Sequence, residues 1–198
     1  MSSIPVRQPV RQGEWHLPSK RRAGMAALIV GESAIFTIFV VAYVFYMGKS
    51  VTGPTPAQVL EVPILGTICL LSSSISIWRA EKAIEDGRMA SFSILLGVTI
   101  ALAAVFLTGT AIEWKKLIYR DGLTISTNLF GTTFYSLVGL HATHVIVGLF
   151  LLSSIFIFSL FGWVDSRHSE RFSAIALYWH FVDAVWIVVF TVVYLIGR

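Results

Sequence analysis

Charge is scarce in this chain of 198 residues. Lys and Arg number 15 and Asp and Glu 11, together 13% of the sequence, against 56% hydrophobic residues. That balance excludes an ordinary soluble domain and suits a membrane-embedded one. The net charge of +4 does not point to nucleic acid, because the basic residues are spread over loops and a tail. A single cysteine, Cys69, excludes a disulfide framework or a thiolate metal cluster within the chain. There is no glycine-rich phosphate loop, and no Ser–His–Asp or Cys–His set beside a water-accessible nucleophile. The polar opening of about 24 residues is not the pattern of a secretory signal peptide.

What the chain does have is long apolar runs. Five are long enough to cross about 30 Å of hydrocarbon. They cover residues 25–47, 62–78, 89–112, 130–161 and 173–197. The expected fold is therefore all-α: a polytopic membrane protein with a bundle of five transmembrane helices. The fourth run exceeds one span and is expected to tilt. Residues 1–24 read as an extended or disordered N-terminal arm, since Pro5-Val6-Arg7-Gln8 repeats at once as Pro9-Val10-Arg11-Gln12. Residues 25–198 form the transmembrane domain. With five spans, ten Lys and Arg fall on the N-terminal side and five on the other. The expected orientation is N-terminus inside and C-terminus outside.

Small residues recur four apart at Ser72 and Ser76, Gly97 and Ala101, and Gly139 and Thr143, a spacing that lets helices approach closely. Trp15, Trp78, Trp114, Trp163 and Tyr119 fall near helix ends, as an interfacial belt would. Trp179 and Trp186 lie inside a span and read as packing residues.

Ionisable groups at membrane depth are few, and each is a functional candidate with a partner to be named. Glu32 stands two turns into the first run. His141 and His144 are i and i+3 in the fourth, and His180 and Asp183 are i and i+3 in the fifth. Glu61 and Glu113 sit at helix ends, within reach of water. At about 1.5 Å per residue, Glu32, His144, His180 and Asp183 fall in the same half of the bilayer. They are expected to form one buried cluster tying the first, fourth and fifth helices together. The plainer reading makes them satisfied core groups with no chemistry; against it, Glu32 is also open to the reading of a carboxylate that faces lipid or a water-lined cleft and titrates. His141, His144 and His180 could supply three zinc ligands, but no thiolate or second close carboxylate accompanies them. His141 and His144 share one helix face and cannot serve two stacked haems, although one haem between His144 and His180 is geometrically allowed.

The stretch Tyr178-Trp179-His180-Phe181-Val182-Asp183-Ala184-Val185-Trp186 resembles the last-helix signature of subunit III of haem–copper oxidases, the cytochrome c and quinol oxidase family. Four further stretches agree in order. Gly131-Thr132-Thr133-Phe134 with the run Gly139 to Gly148, His141 and His144 included, looks like the family's penultimate helix. Leu60-Glu61-Val62-Pro63 with the serine-rich run is similar to the loop and helix two spans earlier. Gly31-Glu32-Ser33 looks like its buried-glutamate helix, and Glu113-Trp114 like its acidic–aromatic pair. The chain resembles the five-helix bacterial form, without the two further helices of seven-helix members. Thr110 stands where the family pattern suggests glutamine.

The resemblance implies a subunit with no catalytic residue, metal or redox centre in this chain. Haems and copper are expected in subunits I and II, its partners, in a bacterial inner membrane. It also implies bound phospholipid and a supporting role in proton uptake. Glu32 matches the family's membrane-embedded carboxylate, which reacts with carbodiimide in some members. The chain could also join a respiratory supercomplex. Two alternatives stand beside this reading: a subunit III-like component of another respiratory complex, such as a nitric oxide reductase, or a stand-alone membrane haem or transport protein.

Overall fold

An apolar segment in lipid has no water to satisfy its backbone, so it must bond within itself, as a helix does. The computed structural model describes residues 20–50 and 52–197, and there is no strand among them. The order is α1 (Lys20–Tyr46), a short α2 (Pro56–Val59), α3 (Ile64–Glu85), α4 (Met89–Tyr119), α5 (Leu129–Leu160) and α6 (Ser169–Phe190). A 3-10 turn at Ser166–His168 leads into α6, and a π-helical segment at Thr191–Ile196 continues it.

Among the described residues, four helices are long and apolar enough to cross a membrane: α1, α4, α5, and α6 with its flanking turns. The second expected span, residues 62–78, falls on α3, which is not among those four. Its 22 residues reach about 33 Å at 1.5 Å per residue. Ser72, Ser73, Ser74 and Ser76 lower its apolarity, and Arg79, Glu81 and Lys82 occupy its last turns. The repeat of the expected N-terminal arm lies outside the described residues, as does Trp15. Lys20 to Gly24, assigned to that arm, instead form the start of α1. Charged residues at the edge of a span can prolong the helix into the headgroup region, and α3 and α4 likewise run past their apolar cores.

Helix α6 is central: it packs against α1, α3 and α5. Helices α3 and α4 form a close hairpin. Its turn contains Gly87 at φ +72°, the left-handed conformation that glycine adopts freely, and the Arg88 N–H donates back to the Ala83 carbonyl at 2.8 Å. Helix α5 opens on Asn128, whose side-chain oxygen accepts from the Gly131 N–H at 2.8 Å. The same amide donates to the carbonyls of Thr52 and Pro54, which ties the loop after α1 to the start of α5.

One member of each expected small-residue pair lies at a helix contact, while Ala101 and Thr143 are exposed. Ser76 Oγ donates to the Leu95 carbonyl across the α3–α4 seam at 2.9 Å. A Cβ at Gly97 would stand 3.3 Å from the Phe156 ring, and one at Gly139 would stand 3.4 Å from Trp114. Gly148 is tighter. A Cβ there would come within 2.8 Å of two indole carbons of Trp179, so α5 and α6 meet at the full width of an aromatic ring. Trp78, Trp163 and Tyr119 are exposed, in keeping with an interfacial belt, and Lys82 Nζ lies 3.7 Å from the Trp78 ring centroid. Trp114 departs from that belt. It is drawn inward against Gly139 and edge-on to Tyr135 at 5.2 Å.

Candidate functional site

The groups expected in one cluster occupy separate places. Glu32 of α1 meets His144 of α5, with Oε2 3.1 Å from Nε2. The proton count of this pair follows from its neighbours. His144 Nδ1 faces the Leu140 carbonyl at 2.8 Å, and a carbonyl can only accept, so Nδ1 carries a hydrogen. The contact between Nε2 and Oε2 then holds one proton, on the imidazole or on the carboxyl. Side-chain exposures of 25% for Glu32 and 14% for His144 put the pair at the edge of the bundle, rather than its centre. Phe36 tilts against the imidazole at 4.9 Å, and the Tyr178 hydroxyl of α6 donates to the His144 carbonyl at 3.2 Å.

His180 and Asp183 turn the other way, toward α3. Ser74 Oγ stands 3.1 Å from His180 Nδ1 and donates to Asp183 Oδ2. A hydroxyl has one proton to give. With that proton directed to Asp183, Ser74 must accept from His180, which places a hydrogen on Nδ1. This is not the order of a hydrolase triad, because the serine lies between the other two groups and the carboxylate does not touch the imidazole's second nitrogen. Asp183 is 3% exposed, and its Oδ1 has no hydrogen-bond partner among the described residues. No hydrogen bond among the described residues links this group to Glu32 and His144.

Two further contacts make the α3–α6 seam a polar zipper. Trp179 Nε1 donates to Ser73 Oγ at 2.9 Å, and Trp186 Nε1 donates to Thr67 Oγ1 at 3.1 Å. Trp179, Asp183 and Trp186 are i, i+4 and i+7 on α6, and each meets a hydroxyl of α3. From the sequence, Thr67 and the serine-rich run counted only toward the family resemblance and were not named as site residues. A signal for them existed: two indole N–H groups at membrane depth need acceptors.

His141 joins neither group. It is fully buried, stacked on Trp186 at 5.0 Å and edge-on to Phe106 at 5.9 Å. Neither ring nitrogen has a hydrogen-bond partner among the described residues. Glu113 accepts the Tyr194 hydroxyl with both oxygens at 3.1 Å, and Tyr194 sits in the π-helical segment. A π turn often marks a functional position. Here it brings a phenol to a carboxylate on α4. Glu61 pairs with Lys116 at 3.3 Å. Just beyond α4, Arg120 is bound by Asp121 at 2.9 Å, and that hydrogen bond holds its guanidinium above its ordinary pKa. Among the described residues no group of three or more His, Cys, Asp or Glu could hold a metal ion. The contacts present are a proton shared between Glu32 and His144 and the hydroxyl and indole contacts that join α3 to α6.

Residues 16–198 match the family model described as Cytochrome c oxidase subunit III. A protein named Cytochrome c oxidase subunit 3 from Synechocystis is 39% identical over 187 residues, covering 90% of this chain and 77% of the relative. One of the same name from Bacillus subtilis is 31% identical over 176 residues, covering 88% and 85%. Another from Canis lupus is 34% identical over 203 aligned positions, covering 96% and 75%.

Proposed function

The chain belongs to the cytochrome c oxidase subunit III family, and from that premise we propose that it is a non-catalytic integral-membrane subunit of a proton-pumping haem–copper oxygen reductase. It stabilises subunit I, holds phospholipid and supports proton uptake during aerobic electron transport. Haems and copper lie in the neighbouring subunits I and II. The chain resides in a bacterial inner membrane with α1 starting on the cytoplasmic side, and α3 is its fifth span.

The observation that carries this reading is how the polar groups at depth are used. Ser73, Ser74, Thr67, His180 and Asp183 hold α3 to α6. The Glu32–His144 pair alone combines a shared proton with partial exposure at the bundle edge. A carboxylate–imidazole pair there can take or release a proton without any catalytic set nearby. An α3 buried against α4 and α6 needs fewer lipid-facing apolar residues than the other helices, which supports its placement as a span.

The test is purification through a tag on this chain from its native membrane. Haem–copper subunits should accompany it, and the isolated chain should lack a Soret band. An oxidase without it should begin turnover at a near-normal rate and lose activity sooner. Copurification of no haem–copper subunit, or an equal turnover lifetime without the chain, would overturn the proposal.

A further inference from the structure

The chain has six tyrosines, and what each hydroxyl meets decides what it can do. Tyr135 donates to the Leu123 carbonyl and Tyr178 to the His144 carbonyl. A peptide carbonyl accepts a hydrogen bond but is too weak a base to take the proton, so those phenols keep theirs. The Tyr43 hydroxyl has no hydrogen-bond partner among the described residues. Tyr46 and Tyr119 are exposed. Among the described residues only Tyr194 donates to a carboxylate, with both Glu113 oxygens at 3.1 Å. It is also the phenol that lies against a fully buried tryptophan. Trp186 is 1% exposed, and its ring centroid is 6.2 Å from that of Tyr194. Phe190 stands beside both, 6.2 Å from Trp186 and stacked on Tyr194 at 5.9 Å.

Indole and phenol are the most easily oxidised rings in a protein, and the two differ here in where a proton can go. Trp186 Nε1 donates to the Thr67 hydroxyl at 3.1 Å, and a hydroxyl is no base for it. A Trp186 that has lost an electron therefore stays a radical cation in an apolar core, where charge is costly. Tyr194 offers a way out. It gives one electron to Trp186 and its phenolic proton to the ionised Glu113. The charges on indole and carboxylate both vanish, leaving neutral tryptophan, a neutral tyrosyl radical and a neutral acid. We propose that Trp186, Tyr194 and Glu113 form a proton-coupled redox relay that draws oxidising equivalents out of the bundle core. Glu113 lines a cavity of about 260 Å³ with Glu61 and Lys116, so the proton can pass on toward water. A reductant of the thiol or quinol class resets the relay by returning one electron as Glu113 returns the proton. Partly reduced oxygen, released beside this chain by the proposed oxygen reductase, is an oxidant of the class required. That source rests on the function proposed above, whereas the relay itself goes beyond it and does not depend on it.

The test is flash photo-ionisation of tryptophan in the tagged chain, with whatever subunits accompany it. Peroxydisulfate in solution takes the ejected electron, and a membrane-soluble nitroso spin trap marks the radicals. Peptide mass spectrometry then locates the trap. Wild type should carry it on Tyr194 in preference to Tyr135 and Tyr178. Glu113→Gln keeps an acceptor for the phenol but no base for its proton, and should lower the Tyr194 adduct at least about tenfold. Glu113→Asp restores a base and should recover part of that loss, which a general disturbance of the fold would not do. Tyr194→Phe should leave the adduct on Trp186. Equal Tyr194 adduct in wild type and Glu113→Gln, a preference for Tyr135 or Tyr178, or no adduct on this chain would overturn the inference. The same spectra show whether oxidase subunits are present, so failure of the relay and failure of the oxidase reading are separately visible.

Discussion

Replacing Gly148 by alanine adds one methyl group at a tight contact between α5 and α6. The added Cβ would lie 2.8 Å from two indole carbons of Trp179, where ordinary contact begins at 3.4 Å. The indole must therefore withdraw by about 0.6 Å. It has little room, because Trp179 is fully buried and its Nε1 is fixed to Ser73 Oγ at 2.9 Å. Overpacking of this kind costs about 1–3 kcal/mol. Stretching the Ser73 bond adds about 0.6 kcal/mol, the average for interhelical hydrogen bonds in a membrane bundle. The gain from replacing glycine in a helix offsets roughly 0.5–1 kcal/mol of that. The net expectation is a loss of about 1–3 kcal/mol. Gly109→Ala is the control, since its new methyl meets nothing within 4 Å and only the helix-propensity gain remains. Reversible unfolding in mixed micelles, followed by tryptophan fluorescence, measures both. Equal stability of the two variants would refute the claim that α5 and α6 are held in register by the Trp179 contact.

Two other outcomes are expected. Ser74→Ala removes the hydroxyl that joins His180 to Asp183 and should cost about 1–3 kcal/mol in the same assay, with Ser74→Thr recovering part of it; an alanine variant as stable as wild type would show that the hub does not hold α3 to α6. A hydrophobic carbodiimide should label the chain at Glu32, and Glu32→Gln should abolish that labelling as read by peptide mass; labelling that survives the substitution would place the accessible carboxyl elsewhere.

Several of these features were legible before the fold was known. Depth counting placed Glu32 and His144 at one level on two different helices, and they are in contact. The same counting put His180 and Asp183 with them. It gives height along the membrane normal and nothing about rotation around a helix, and α6 turns that pair toward α3 instead. The hydroxyl that receives them, Ser74, was given no role, and only its neighbours Ser72 and Ser76 were read as small residues for close packing. Serine serves both ends, and composition does not separate them. The start of α1 was misplaced for a different reason: Lys20, Arg21 and Arg22 are polar yet helical, because a helix does not end where the hydrocarbon does. Their contacts explain why it continues there. Arg22 donates to Ser173 Oγ at 3.1 Å and stands 3.7 Å from Glu81, joining α1 to α6 and α3. The π-helical turn that delivers Tyr194 to Glu113 had no sequence signal that we can identify.

The central position of α6 bears on how the protein is made. Ribosomes deliver the chain from its N-terminus, so the helix that α1, α3 and α5 all pack against enters the membrane after them. Until it arrives, Ser73, Ser74 and Thr67 lack the indoles and carboxylate they later meet. Biogenesis therefore passes through a stage in which the earlier helices are made but their contacts to α6 are not, and completion comes in one late step. A nonsense mutation before Ser169 should leave a product cleared by membrane proteases, although it would contain most of the apolar sequence.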